Sequence, residues 1–359
     1  MHKHFLSTAA ALLLTVLAFA QSTISGRVID AESKQPLEGA SVFAQNTTIG
    51  AVTKADGSFK LSIARGGYEL VISFTGYNSE RLTVDAAADQ NVDIELKKED
   101  RSLGEVVIKS SSEVADGWEK YGTFFIQHFL GATPNAAQTV LQNPEALKFF
   151  YYKRNDRLKV MATEPLRITN NALGYTIQYA LDSFVYHYKT DVNSYRGNCF
   201  YLLMEGDSTQ QIAWDSARLA TYKGSRLHFL HAYYDSTIKQ EGFTIDMLSS
   251  TNRNQFLRLS NPYDSSYYFV DDTTGDVEMW YPQRISITYT KAKPEQEYLQ
   301  QMKLPTDVPV QISYVDLRDA ILIKENGYFL DQRNWINQGY WSWKNLADQL
   351  PYDYRPKEK

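Results

Sequence analysis

The chain reads as two folds in series: an N-terminal all-β sandwich of about seven strands, then an α+β domain with a mostly antiparallel sheet and a few helices. Three observations predict this. Near the N-terminus the apolar residues alternate: Phe59, Leu61 and Ile63 oppose Lys60 and Ser62, and Val92, Ile94 and Leu96 oppose Asp93, Glu95 and Lys97. Period-2 alternation marks strands with one buried face. Turn signals punctuate these strands closely: Pro36 with Gly39, Asp56-Gly57 and Gly66-Gly67 supply the backbone conformations that hairpins require. From about residue 114 the pattern changes. Trp118, Tyr121, Phe125, His128 and Phe129 fall on one face of a helix.

Taken in order, residues 1–20 form a targeting segment. His2, Lys3 and His4 precede an apolar run at 6–20 that ends Ala18-Phe19-Ala20. Small residues at these positions predict signal cleavage before Gln21, and the run is short for a membrane span, which takes about 20 residues. The sandwich occupies 22–98, with strands also at Tyr68, Leu70, Ile72 and Phe74. Residues 99–113 are a linker or, through Val106, Val107 and Ile108, a closing strand. The α+β domain fills 114–359. Its first helix ends near Gly131, and a second is expected over 134–142. Strands follow at 149–153, 159–162, 174–181, 184–188 and 199–204. A helical region spans about 212–234, with Gly224-Ser225 as break and new N-cap. Further strands are expected near 242–246, 267–270, 277–281, 285–289, 310–314 and 320–324, before an aromatic tail at 335–350 that contains a short helix.

Four segments of the first domain occur in a characteristic order: Gly26-Arg27-Val28-Ile29-Asp30, Pro36-Leu37-Glu38-Gly39-Ala40-Ser41-Val42, Thr53-Lys54-Ala55-Asp56-Gly57-Ser58-Phe59-Lys60-Leu61, and Tyr68 through Gly76-Tyr77. Together they resemble the carboxypeptidase-regulatory-like (transthyretin-like) domain of Bacteroidetes envelope proteins. The resemblance implies a scaffold or interaction module and carries over no catalytic residue. No His is followed three residues later by Glu, as the zinc peptidases that own such domains would require. Farther on, Gln127-His128-Phe129-Leu130-Gly131, Glu164-Pro165-Leu166, Tyr222-Lys223-Gly224-Ser225 and Leu350-Pro351-Tyr352-Asp353-Tyr354 look like segments of uncharacterised proteins of the same group.

A formal net charge of −5 with scattered Lys and Arg disfavours nucleic acid as a partner. The lone Cys199 excludes an internal disulfide. No glycine-rich phosphate loop is found, and no cofactor is expected. Candidate chemistry is confined to a few places. His228 and His231 stand at i, i+3 with Glu241 downstream, a spacing that suits a metal. Ser225 sits three residues before His228, a spacing for an activated serine or simply for a helix cap. Asp271-Asp272-Thr273-Thr274-Gly275-Asp276 is acidic, yet it lacks the alternating ligands of a calcium loop and reads as a hairpin turn. The aromatics Tyr263, Tyr267, Tyr268, Trp335, Tyr340, Trp341 and Trp343 could stack on sugar faces or fill a core. The expectation is an exported protein of the periplasm or cell envelope, with no transmembrane span after cleavage. Its partner would be a glycan, peptidoglycan or an outer-membrane protein. The alternatives are a hydrolase of the same polymers and a structural subunit of an outer-membrane complex.

Overall fold

The computed structural model describes residues 21–99, 112–252, 254–330 and 332–357. The expected leader and the expected closing strand at 106–108 lie outside the described residues.

The first domain is a sandwich of β1 (Gln21–Asp30), β2 (Ser41–Ala44), β3 (Gly50–Val52), β4 (Ser58–Ala64), β5 (Gly67–Ser73), β6 (Glu80–Asp85), β7 (Gln90–Asn91) and β8 (Ile94–Leu96). One sheet runs β3-β2-β5-β6; in the other, β1 pairs β4 on one side and the short parallel β7 and β8 on the other. The alternating residues Phe59, Leu61, Ile63, Tyr68, Leu70 and Ile72 are all buried between the sheets with Ile24 and Val28. The expected 92–96 alternation holds, with Val92 half-buried and Ile94 and Leu96 buried, but the strand is interrupted at Val92 and Asp93, where the chain crosses close to β1. A Cβ on Gly26 would meet the Val92 carbonyl oxygen at 1.8 Å, so only glycine admits that approach. Gly57 has φ +75°, as its hairpin turn requires.

The region after 112 holds two large apolar clusters and a small one of Tyr222, Leu227, Tyr328 and Tyr352. The first is built from α1 (Gly117–Phe129) packed on a sheet of β9 (Thr139–Leu141), β10 (Leu147–Tyr152), β11 (Arg157–Ala162), β12 (Leu166–Asn170), β13 (Tyr175–His187) and β14 (Val192–Leu203). The Phe125 ring meets Phe184 at 5.2 Å and Phe129 meets Tyr179 at 5.1 Å, so the expected face packs from Tyr121 onward, while Trp118 at its start is exposed. The helix expected over 134–142 is instead one 3-10 turn, Ala136–Gln138, followed by β9, which pairs with β12. β-Branched Thr139 and Val140 favour the pleat over a helix. The two strands expected at 174–181 and 184–188 are one strand with a bulge between Leu181 and Ser183.

Next come α2 (Ser208–Tyr222), α3 (Arg226–Tyr234) and α4 (Ile238–Glu241). The second cluster contains β15 (Phe243–Leu248), β16 (Phe256–Arg258), β17 (Tyr268–Val270), β18 (Val277–Met279), β19 (Ile285–Tyr289), β20 (Gln311–Leu317), β21 (Ile321–Ile323) and β22 (Trp335–Gly339), with α5 (Gln296–Gln301) and the single turn α6 (Tyr340–Trp343). Its sheets run β16-β15-β19-β20-β22 and β17-β18-β21, antiparallel throughout.

The sandwich is bonded to both of these parts. The turn after β2 meets the free edge of β14: Asn46 N–H donates to the Cys199 carbonyl at 2.7 Å, and Tyr201 N–H donates to the Thr47 carbonyl at 3.0 Å. From the C-terminal end, Tyr352 N–H reaches the Asn46 carbonyl at 2.8 Å, and the Asp353 carboxylate accepts from the Thr48 N–H at 2.9 Å and from its hydroxyl. At the same end of that sheet, Lys324 Nζ lies 2.6 Å from both Asp85 and Asp276, and Asn326 donates to the Gly67 carbonyl at 3.0 Å.

Candidate functional site

Ser225, His228 and His231 do come together, at the start of α3. Gly224 (φ +77°) turns the chain after α2, and Ser225 caps the next helix: its Oγ accepts the His228 backbone N–H at 3.1 Å. That contact involves the backbone of His228 and not its ring. The ring is committed elsewhere. Its Nδ1 accepts the Gly224 N–H at 3.1 Å, which leaves the proton on Nε2, donated to Glu241 at 3.1 Å. The expected approach of Glu241 therefore occurs, but to one imidazole. His231 turns its Nδ1 to the Tyr222 hydroxyl at 2.8 Å, and its Nε2 faces the backbone at Asn326 and Gly327.

Both rings are almost fully buried. Burial pushes His231 down to about 3, with the Arg355 charge adding to the effect. Burial also lowers His228, outweighing the opposing influence of Glu241. Two neutral imidazoles packed on the Tyr222 ring, with centroids at 4.7 and 5.7 Å, tie α2 to α3 and α4. The His228 ring spends both nitrogens on the fold, and His231 spends Nδ1 while its buried Nε2 has no hydrogen-bond partner among the described residues.

The acidic segment at 271–276 is a hairpin turn between β17 and β18. Asp271 accepts the backbone N–H groups of Thr273 and Thr274 at 2.7 and 3.0 Å, and Asp276 is the partner of Lys324. These carboxylates build the turn and the interface.

The aromatic residues are core. Trp335, Tyr340, Trp341 and Trp343 are each at most 6% exposed. The Trp341 Nε1 donates to the Gly224 carbonyl at 2.7 Å, Trp343 Nε1 to Gln301 at 2.8 Å, and the Tyr340 hydroxyl to Glu295. Had the Gly339-to-Trp343 stretch been extended, alternate rings would face solvent. It coils into α6: Trp341 packs on Phe229 of α3, and Tyr340 and Trp343 pack on Tyr298 of α5. Tyr263 and Tyr267 are half-buried, one accepting the Ile238 N–H at 3.0 Å and the other stacked on Tyr281 at 5.1 Å. A stacking platform of these rings is therefore corrected to a packed cluster. Sequence reading also missed Lys324, Asn326, Thr48 and Asp353, because the residues they bond are far away along the chain.

Residues 24–108 match the CarboxypepD_reg-like domain. The sandwich thus has the identity that its motifs indicated. The TonB-dependent receptor SusC of Bacteroides thetaiotaomicron is 40% identical over 115 residues, 32% of this chain and 11% of that receptor. The TonB-dependent receptor P39 of Formosa agariphila is 33% identical over 89 residues, 25% of this chain and 8% of the receptor. The chain therefore spans about a tenth of the curated relatives it matches. Among solved structures, a cohesin–X-dockerin complex from Acetivibrio cellulolyticus aligns at 25% identity and TM-score 0.20 over 22% of this chain and 59% of that one. A DUF3823 family protein from Bacteroides ovatus aligns at 10% identity and TM-score 0.19 over 52% and 83%. No described helix is long and apolar enough to cross a membrane.

Proposed function

We propose that the protein is an exported module of the cell envelope, in which the regulatory-like sandwich is a rigid docking platform and the whole assembly binds an outer-membrane protein partner. The observation that carries this reading is the bonding of one end of the sandwich at several points, through Asn46–Thr48 and through neighbouring Gly67 and Asp85. A domain held at several points along one end is a fixed platform, and a flexible tether would not need those bonds. The sheet turned away from these contacts ends in β4, an edge strand of seven residues whose outward side chains include Lys60 and Ser62. Edge strands dock partners by adding a strand. Similarity of part of the chain to short parts of two TonB-dependent receptors supports an envelope setting. The hydrolase alternative needs Ser225 and the His228 ring to work together, and both are engaged in holding α3.

A photoreactive residue placed at Lys60 or Ser62 tests the reading in intact cells. The expected result is a covalent adduct with an outer-membrane protein, reached from β4 and not from a control at the buried interface residue Asn326. A protein recovered without adducts from either position, and found free of the outer-membrane fraction, overturns it.

A further inference from the structure

We propose that an open groove along α2, separate from the docking platform and independent of it, is a binding site for a short neutral saccharide. The groove has a volume of about 480 Å³, room for one or two sugar rings. One wall is a single face of α2, on which Gln210, Ala213, Trp214 and Ala217 repeat at helical spacing. The opposite wall is the 3-10 turn carrying Asn135 and Gln138, with Asn171 and Glu205 closing the ends.

The floor is rigid. Trp214 donates its Nε1–H to the Asn171 carbonyl at 2.9 Å. A Cβ at Gly174 would fall 2.3 Å from the indole, and one at Gly206 would fall 2.7 Å from it. Two glycines thus clear the space in which this ring lies. Behind it Arg218 donates to the Leu173 and Gly174 carbonyls at 2.7 and 3.0 Å and covers the Tyr175 ring. The indole edge, Ala172, Ala213 and Ala217 offer a narrow apolar strip, which suits the C–H face of a sugar.

The rim is built of amides with unspent hydrogen-bonding capacity. Asn135 gives both amide hydrogens to Thr221 and to Asp348, at 3.1 and 2.8 Å, which turns its carbonyl oxygen away from them. Asn171 uses its nitrogen on the Gln138 carbonyl at 3.2 Å, and Gln210 uses its oxygen on the Asp207 N–H at 2.9 Å. What remains is a fixed set of acceptors on the asparagines and donors on Gln210, joined by the exposed side chains of Gln138 and Glu205. Hydroxyl groups, which both donate and accept, are the ligand groups that satisfy such a mixed set. Among the described residues no Lys or Arg lines the groove, so an anionic ligand would find no counter-charge, and a neutral polyhydroxyl ligand suits the amide rim.

The test uses the mature protein and saturation-transfer NMR with maltose, cellobiose, lactose and diacetylchitobiose as probes. At least one should receive saturation from the protein and shift the Trp214 indole N–H. Replacing Gln138 and Glu205 together by alanine should weaken that sugar about tenfold, as loss of two polar contacts implies. Both are exposed, so the melting temperature should stay unchanged. No transfer to any probe, or equal affinity in the double variant, overturns the assignment.

Discussion

Replacing Trp341 by alanine asks whether the aromatic tail is framework. The side chain is 6% exposed, its ring lies 5.6 Å from Phe229 and 6.1 Å from Trp335, and its N–H is bonded to the buried Gly224 carbonyl at 2.7 Å. Truncating a buried Trp costs about 3–5 kcal/mol, and leaving a buried carbonyl without its donor adds about 1–3 kcal/mol. The sum, about 4–8 kcal/mol, is comparable to the whole stability of many domains. Trp341→Phe keeps most of the ring and loses only the donor, so about 2 kcal/mol should go. In a domain of this size that lowers Tm by about 4–8 °C. Urea unfolding followed by far-UV circular dichroism measures both. The ordering wild type, then Phe, then an unfolded or barely folded Ala variant is expected. An alanine variant within about 1 kcal/mol of wild type would refute the packing argument and restore the tail as a surface for ligands.

Lys324→Ala should leave Asp276 buried without its cation, cost about 3 kcal/mol, and expose the junction beside Asp85 to limited proteolysis. Burial by itself would lower the Lys324 ammonium, but its two carboxylate bonds outweigh it and raise it, so a neutral Met is expected to restore little. His231 adds a pH dependence. Its folded value, about 3, lies below the unfolded 6.5, so the unfolded chain takes up the proton first and stability falls as pH drops from 6.5 toward 3. The slope should be about 1.4 kcal/mol per pH unit below 6.5, and in urea titrations at pH 7, 5.5 and 4 the difference between wild type and His231→Gln should shrink accordingly. Gly174→Ala, at φ +66° and against Trp214, should cost about 2 kcal/mol or more in thermal melts and shift the indole N–H resonance of Trp214.

The sandwich was legible because its core residues are spaced by the pleat itself. Phe59, Leu61 and Ile63 announce their face locally, and Gly57 announces its turn. The N-cap at Ser225 and the aromatic face of α1 are local signals of the same kind. The β13 bulge was also written in the chain: Ile177, Tyr179 and Leu181 are buried, then Phe184 and Tyr186, a slip of one position at Asp182. Reading that slip as a gap between two strands missed its meaning. Burial of the tail was not legible, because Trp341 and Trp343 have the same spacing whether the chain extends or coils. The groove along α2 was hidden for another reason. Its residues come from four separate stretches, and Asn135 owes its orientation to Asp348, which is 213 positions away.

Thr48 and Asp353 stand 305 positions apart. Closing so long a loop costs only about 0.6 kcal/mol more than closing one half its length, so equilibrium hardly notices the distance. Synthesis does. At roughly 10 residues per second, the face carrying Asn46 and Thr48 emerges about half a minute before the residues that will cover it. For that interval the newborn sandwich shows a surface that the finished protein never shows. Any chaperone that recognises this face competes with the protein's own C-terminus, and the arrival of Tyr352 and Asp353 is the event that dismisses it.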